Sequence, residues 1–154
     1  MQNNVAIFLR GFERTWDWVK AHNFNLFESI YGSNIDWYVA TWNMQSTDRN
    51  KLLDDFDDKT VRAFYILNDD QYPFNDAIRS IKTLDSYKNW KNKLDNYWRL
   101  AYLDYLLGYE KTKYELANNL NYDIVIFTRF DLLHYCHEIK IEQEYKPFKF
   151  SISE

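Results

Sequence analysis

Glycine is scarce in this sequence, and its scarcity excludes the common phosphate-binding loops. The chain has 154 residues and only 3 glycines, which are Gly11, Gly32 and Gly108. A Walker A loop and a G-x-G-x-x-G turn both need closely spaced glycines, so neither can be built from these positions. The sequence also contains no G-x-S-x-G nucleophile elbow. Any nucleotide must therefore be held without a glycine-rich loop.

Cysteine is nearly absent as well. The single Cys136 excludes a disulfide framework and a cysteine-based zinc module, and it favours a reducing, cytoplasmic setting. His134, Cys136 and His137 stand close together, but a zinc site would need a fourth ligand and an awkward geometry. We therefore interpret these three residues as lining or flanking the end of the preceding strand.

Neither an excess of basic residues nor a long apolar run is present. The formal net charge is −4, and lysine and arginine are scattered among acids, which argues against a nucleic-acid partner. No apolar run approaches the ~20 residues that cross a bilayer, and the N-terminal residues lack the pattern of a signal peptide. We expect a cytoplasmic protein with no transmembrane segment. The acidic run DDFDD at 54–58 lacks EF-hand spacing, which favours a solvated helix face or loop.

Hydrophobic residues make up 46% of the chain, which suits a single domain spanning 1–154 with a substantial core. Apolar segments predict strands near 5–10, 36–42, 61–67 and 122–128. Helical patterns lie between them, and this alternation predicts a three-layer α/β sandwich with a mostly parallel central sheet. The tail at 144–153 would add one short edge strand.

Helical spacing predicts the buried side of the two main helices. The first helix should begin after Thr15 as N-cap and end at Gly32. Its predicted buried stripe is Trp16, Val19, Asn23, Leu26, Phe27 and Ile30. The second helix should run from about Lys88 to Asn119. Its predicted buried stripe is Trp90, Leu94, Tyr97, Trp98, Ala101, Tyr105, Gly108, Thr112 and Leu116.

The stretch YDIVIFTRFDLL at 122–133 carries the most distinctive pattern. Residues 124–127 are apolar on both faces, which predicts a fully buried central strand. Arg129 and Asp131 follow two residues apart, so they would point the same way in an extended chain. Ligands of open α/β sheets bind beyond such strand ends. A plain Arg–Asp ion pair that closes the strand explains the same pattern.

Positive charge also follows the first predicted strand. Arg10 and Arg14 flank Gly11, which permits a tight turn or the close approach of a ligand to the backbone. Since parallel strands end at the same edge of a sheet, we expect Arg14 and Asp131 on the rim of one cleft, with Thr41 between or beside them. Ordinary surface arginines are the alternative interpretation.

Three segments, taken in order, resemble the GT-A-fold nucleotide-diphospho-sugar transferases, in particular glycosyltransferase-like proteins of bacteria and viruses. They are VAIFLRGFERTW at 5–16, DWYVATWN at 36–43 and YDIVIFTRFDLL at 122–133. Their order and spacing fit over nearly the whole chain. Residues 129–131 read R-x-D where the family usually has D-x-D, which leaves one carboxylate where two share the metal. The chain also ends soon after this strand, so we expect a short or truncated member.

The resemblance implies transfer of a sugar from a nucleotide-diphosphate donor to an unknown acceptor, assisted by a divalent cation, Mn²⁺ or Mg²⁺. It places Asp131 as catalytic residue and metal ligand. The nucleotide-sugar-binding residues that it implies are Arg10, Gly11, Arg14, Thr41, Trp42, Asn96, Arg99 and Arg129. Within this set the arginines near Gly11 would pair with phosphate oxygens. Thr41 and Trp42 would contact the base or the ribose. Asn96 and Arg99, on the long helix, would face the sugar.

Other functions fit the same sequence. The sequence identifies no general base. Asp69 and Asp70, which follow the third predicted strand, are the rival carboxylates to Asp131. The chain could be a nucleotide-sugar-binding module without turnover. It could also be a structural or partner-binding α/β domain, in which the charges at the strand ends merely pair with each other.

Overall fold

The computed structural model describes residues 4–13, 15–43, 48–73 and 91–134. They form an α/β fold around a four-stranded sheet in which every strand is parallel to its neighbours. The strands are β1 (Val5–Gly11), β2 (Ile35–Trp42), β3 (Thr60–Leu67) and β4 (Ile124–Arg129). Each lies where a strand was predicted, so the predicted alternation of strands and helices is confirmed.

Helices pack on both faces of this sheet. They are α1 (Trp16–Tyr31), α2 (Arg49–Asp54) and α3 (Lys91–Asn118), with a short 3-10 turn at Asp69–Gln71. Residues of α1 and α2 share a hydrophobic cluster with the side chains on one sheet face, among them Ile7 and Trp37. Leu103 and Leu107 of α3 share a second cluster with Phe8 and Tyr38 on the opposite face. The described residues therefore form helix, sheet and helix layers.

The central strand is β1 and not β4. The sheet order is β3-β2-β1-β4, and Leu9 of β1 lies between Val39 of β2 and Thr128 of β4. Residues 5–9 of β1 are each at most 1% exposed, whereas Phe127 of β4 is 53% exposed. The expectation of a central strand at 124–127 is therefore wrong for the described residues, because the chain returns to the outer side of β1. The predicted edge strand at 144–153 lies outside the described residues.

Helix α1 follows its predicted bounds closely. Gly32 has a φ of 78°, which favours glycine, and its N–H donates to the carbonyl of Glu28 at 2.8 Å. Thr15 occupies the N-cap position, but its side chain makes no capping hydrogen bond. Within the predicted stripe Leu26 is only partly buried and Ile30 is exposed, whereas Phe24, which the pattern left out, is buried.

The buried side of α3 differs from the predicted one. Among the described side chains of this helix, those of Leu103 and Leu107 are fully buried, and they pack in the same cluster as the small side chains of Ala6 and Ala40. The predicted stripe faces outward at Tyr97, Trp98, Ala101, Tyr105 and Leu116. Apolar residues occur all round this helix, so periodicity alone does not determine which side packs on the sheet. Residues 88–90 of the predicted helix lie outside the described residues.

Candidate functional site

The sheet order points to one edge as the place for a site. After β1 the chain adds β2 and β3 on one side, and it then crosses over to place β4 on the other side of β1. In open parallel sheets the crevice for ligands lies beyond the carboxyl ends of the strands, where the order reverses in this way. The reversal here lies between β1 and β4, so the residues that follow these two strands are the first to consider.

A cavity of about 380 Å³ lies at this edge. Its lining residues are Gly11, Phe12, Trp42, Asn96, Tyr97, Arg99, Leu100, Leu103, Arg129 and Asp131. They come from the ends of β1, β2 and β4 and from the first part of α3. Such a volume suits a small organic ligand, and a lining that mixes aromatic rings with a few charged groups is typical of small-molecule sites.

Gly11 shapes the wall of the cavity at the end of β1. Its φ of 110° lies in a region that residues with a side chain rarely adopt. A Cβ added at Gly11 would meet no atom within 4 Å, so the glycine is needed for the backbone angle rather than for space. Phe12, the next residue, also lines the cavity.

Arg129 and Asp131 form a bidentate ion pair on another wall. Nε of Arg129 donates to Oδ1 of Asp131 at 2.8 Å, and a terminal nitrogen donates to Oδ2 at 2.6 Å. The side chains are 47% and 29% exposed. Phe130 between them is fully buried and lies edge-on to Trp16, with ring centroids 5.2 Å apart. The buried ring anchors the turn that presents the charged pair at the cavity.

Arg99 brings a second guanidinium to the cavity from α3. It lies over the ring of Trp42 at 5.0 Å and over the ring of Tyr72 at 5.2 Å. Cation–π contacts of this kind help to hold a guanidinium in place. Asn96 precedes Arg99 by about one helical turn and lines the same cavity.

Two residues expected at the site lie elsewhere. Arg10 forms an ion pair with Asp104 of α3 and donates to the carbonyl of Thr128 at 2.9 Å, so it joins α3 to the sheet. Thr41 is fully buried, and its hydroxyl donates to Glu13 at 3.2 Å. Neither belongs to the lining of the cavity. Arg14 lies outside the described residues, so its expected place on the rim stays a prediction.

The residues that follow β4 are tied to α1 by Asn23, whose role the sequence pattern did not reveal. Asn23 is 2% exposed. Its side chain donates to the carbonyl of Leu132 at 2.7 Å and accepts from the N–H of His134 at 3.2 Å. The one polar residue in an otherwise apolar helical stripe was the available signal. These hydrogen bonds fix the chain just beyond Asp131.

His134 closes this junction against the end of β4. Its ring contacts the hydroxyl of Thr128 at 2.5 Å, and the ring of His22 contacts its carbonyl at 2.6 Å. Burial, and then the nearby His22, lower the pKa of His134 below its ordinary value of 6.5. His134 therefore flanks the strand exit as expected, whereas Cys136 and His137 lie outside the described residues.

The donor set of the cavity does not suit the divalent cation that the family resemblance implies. Mg²⁺ and Mn²⁺ prefer several oxygen ligands. Asp131 is the only carboxylate among the described lining residues, and each of its oxygens accepts a hydrogen bond from Arg129. The described part of the chain contains no group of three or more His, Cys, Asp or Glu placed to hold a metal ion. The expected role of Asp131 as a metal ligand stays a prediction, without support from this geometry.

Comparison with protein-family models, with curated proteins and with solved structures finds no match to this chain. Within the described ranges, no helix combines the length and the apolar character that crossing a membrane requires. The functional argument therefore starts from the cavity and the residues around it.

Proposed function

We propose that the chain binds a nucleotide-diphospho-sugar in the cavity and, as a GT-A-like glycosyltransferase, transfers the sugar to an unknown acceptor. One observation carries the proposal. The three segments that resemble the GT-A proteins are far apart in the sequence, yet each contributes to the lining of one cavity. The first provides Gly11, the second provides Trp42, and the third provides Arg129 and Asp131.

The chemistry of the lining suits the parts of such a ligand. Arginine is the preferred partner of phosphate because its planar guanidinium donates two parallel hydrogen bonds. Arg99 and Arg129 would therefore bind the diphosphate. The rings of Phe12 and Tyr97 offer flat surfaces for a base or a sugar, and the amide of Asn96 can hydrogen-bond hydroxyl groups.

In the proposed reaction the bond between the anomeric carbon and the diphosphate oxygen breaks, and a bond from that carbon to an acceptor oxygen forms. The acceptor hydroxyl gives its proton to water, and the nucleoside diphosphate leaves with the electron pair of the broken bond. Negative charge therefore grows on the diphosphate in the transition state. Fixed guanidinium groups beside it, those of Arg99 and Arg129, would lower the barrier.

Binding without turnover is the second candidate, and one observation favours it. A general base needs a carboxylate or imidazole that can accept a proton, but Asp131 already accepts two hydrogen bonds from Arg129. Asp70, one of the rival carboxylates, is exposed and does not belong to the described lining. The side chain of Asp69 lies outside what the structure describes. Release of nucleoside diphosphate from a bound donor would exclude this candidate.

A thermal-unfolding screen of the purified chain tests the proposed function. The probes are uridine, guanosine, adenosine and cytidine diphosphates and their sugar conjugates. A ligand at about 100 times its dissociation constant adds roughly 2.7 kcal/mol of stability. For a domain of this size that free energy raises the melting temperature by about 5–10 °C.

The matching nucleosides without phosphate serve as controls and should give much smaller shifts, since they lack the groups that the arginines bind. If no diphosphate or sugar conjugate raises the melting temperature, the proposed function is wrong.

A further inference from the structure

The charge of the cavity is opposite to the one that a cation site needs. Its described lining contains two positive side chains, Arg99 and Arg129, and one negative side chain, Asp131. The lining therefore carries a net positive charge, which attracts an anion such as a diphosphate and repels a free divalent cation. Hence the positive charge that the diphosphate needs is already built into the protein.

The single carboxylate is also poorly placed to compete for a metal ion. Both oxygens of Asp131 accept hydrogen bonds from Arg129, at 2.8 and 2.6 Å. A cation that bound the remaining lone pairs of Asp131 would lie beside the charge of this guanidinium. Asp131 fixes the plane of the guanidinium, and the remaining N–H groups of Arg129 can turn to a ligand because the side chain is 47% exposed.

The two guanidiniums come from different layers of the fold. Arg129 ends β4 at the sheet edge, while Arg99 projects from α3, where the rings of Trp42 and Tyr72 hold it. Since both groups are positioned before a ligand arrives, little ordering is needed on binding. Such an arrangement can hold a diphosphate between helix and sheet.

We propose that the cavity binds the diphosphate of its ligand through Arg99 and Arg129, without a divalent cation, and that Asp131 is a positioning residue for Arg129. The inference deepens the proposed function and rests on it. It assigns the R-x-D sequence at 129–131 a chemistry of its own, in which an arginine replaces the metal ion.

Calorimetric titration of the purified chain with uridine diphosphate, with the other nucleoside diphosphates of the screen and with inorganic pyrophosphate is the test. Each titration is run in excess EDTA and again in excess manganese chloride. We expect a nucleoside diphosphate to bind in EDTA with a dissociation constant within about threefold of that in manganese, which is under 1 kcal/mol. Binding that disappears in EDTA and returns with manganese overturns the inference but leaves the proposed function standing.

The titration with pyrophosphate distinguishes a failure of this inference from a failure of the proposed function. If pyrophosphate alone binds in EDTA, the arginine site exists and the proposed nucleotide function is wrong. If neither pyrophosphate nor any nucleotide binds under either condition, both proposals fail.

Charge-removing variants identify the groups that bind. We expect Arg99→Gln and Arg129→Gln each to weaken binding of the nucleoside diphosphate in EDTA by about 10-fold or more, since each loses a charge-assisted contact. Lys113→Gln is the matched control. It removes one positive charge from the exposed surface of the same helix, beyond the lining of the cavity, and should leave the affinity unchanged. Equal losses in all three variants would show that only net charge matters and would overturn the inference.

The positioning role of Asp131 has its own readout. We expect Asp131→Asn to weaken binding less than Arg129→Gln does, and to add no further loss in the Arg129→Gln background. This non-additivity follows if Asp131 acts only through Arg129. An Asp131→Asn variant that binds normally in EDTA but loses an enhancement by manganese would identify Asp131 as a metal ligand and overturn the inference.

Discussion

Gly11 and Gly108 show how differently two glycines of one chain are used. Gly11 ends β1 with a φ of 110° at the wall of the cavity, whereas Gly108 lies inside α3. An added Cβ would meet no atom within 4 Å at either position. Steric contact therefore does not distinguish them, and only the backbone conformation does.

Alanine substitution should have opposite effects at these two positions. We expect Gly11→Ala to destabilise the fold by about 1–3 kcal/mol, because alanine is strained at this φ. Gly108→Ala should stabilise it by about 0.5–1 kcal/mol, because alanine favours the helix and restricts the unfolded chain. Urea denaturation of both variants measures the difference. Effects of the same sign would contradict the assigned backbone role of Gly11.

Between elements, Asn23 connects α1 to the residues that follow β4. The amide makes two hydrogen bonds across this junction, to the carbonyl of Leu132 and from the N–H of His134. Both hydrogen bonds are partly shielded from solvent. The junction lies directly beyond the Arg129–Asp131 pair, so it also steadies one wall of the cavity.

Asn23→Ala should therefore cost about 1–3 kcal/mol, since it removes two hydrogen bonds that are each worth about 0.5–1.5 kcal/mol. Asn25→Ala is the matched control, because Asn25 lies on the same helix with an exposed side chain and should change the stability by less than about 0.5 kcal/mol. The comparison requires melting curves or urea denaturation of both variants. Alanine is the better helix former, so helix propensity alone would raise the stability of both variants. Similar losses in the two would mean that the two hydrogen bonds of Asn23 do not explain the effect.

The strands could be predicted because each is a short apolar run bounded by polar residues. The packing side of α3 could not, because its aromatic residues occur on both sides of the helix. Leu103 and Leu107 turn towards the sheet, while Tyr105 and Leu116 turn away. The central position of β1 in the sheet could not be predicted either, since strand order depends on contacts between residues that are distant in sequence.

The same limit explains which of the expected site residues the fold brings to the cavity. Gly11 and Arg129 follow strands, so topology alone brings them to one edge. The orientation of Arg10 depends on Asp104, an ion-pair partner 94 residues away, which no local pattern reveals. Thr41 alternates with Trp42 along β2, so only one of the two can face α3, and that one is Trp42.

For the molecule as a whole, acid should weaken the fold through groups whose pKa the folded state lowers. Hydrogen bonds from Lys51 and then Lys20 lower the pKa of Asp17. Burial raises the pKa of Glu115, but hydrogen bonds from Lys111 and from the backbone outweigh it and leave that pKa below its ordinary value. Each group binds a proton more readily in the unfolded chain, so stability falls as the pH drops.

The first loss of stability should come from His134. The unfolded chain protonates this imidazole as the pH falls past its ordinary pKa of 6.5, whereas the folded protein keeps the ring neutral there. The contribution of His134 is therefore complete above 6.5 and is lost as the pH falls from 6.5 through the lower pKa of the folded state. The carboxylates act at lower pH, starting near the ordinary value of 4.5 for Glu115 and then near 3.8 for Asp17.

Melting temperatures of the wild type and of His134→Gln, measured from about pH 8 to about pH 4, test this assignment. Glutamine can still hydrogen-bond the hydroxyl of Thr128, but it does not titrate. We expect the melting temperature of the wild type to fall as the pH drops below about 6.5 and that of the variant to stay nearly level until the carboxylates titrate. His22→Gln should fall less steeply than the wild type, because without His22 the pKa of His134 is lowered less. If His134→Gln loses stability in parallel with the wild type between about pH 6.5 and the pH at which the carboxylates titrate, a group other than His134 is responsible for the acid sensitivity.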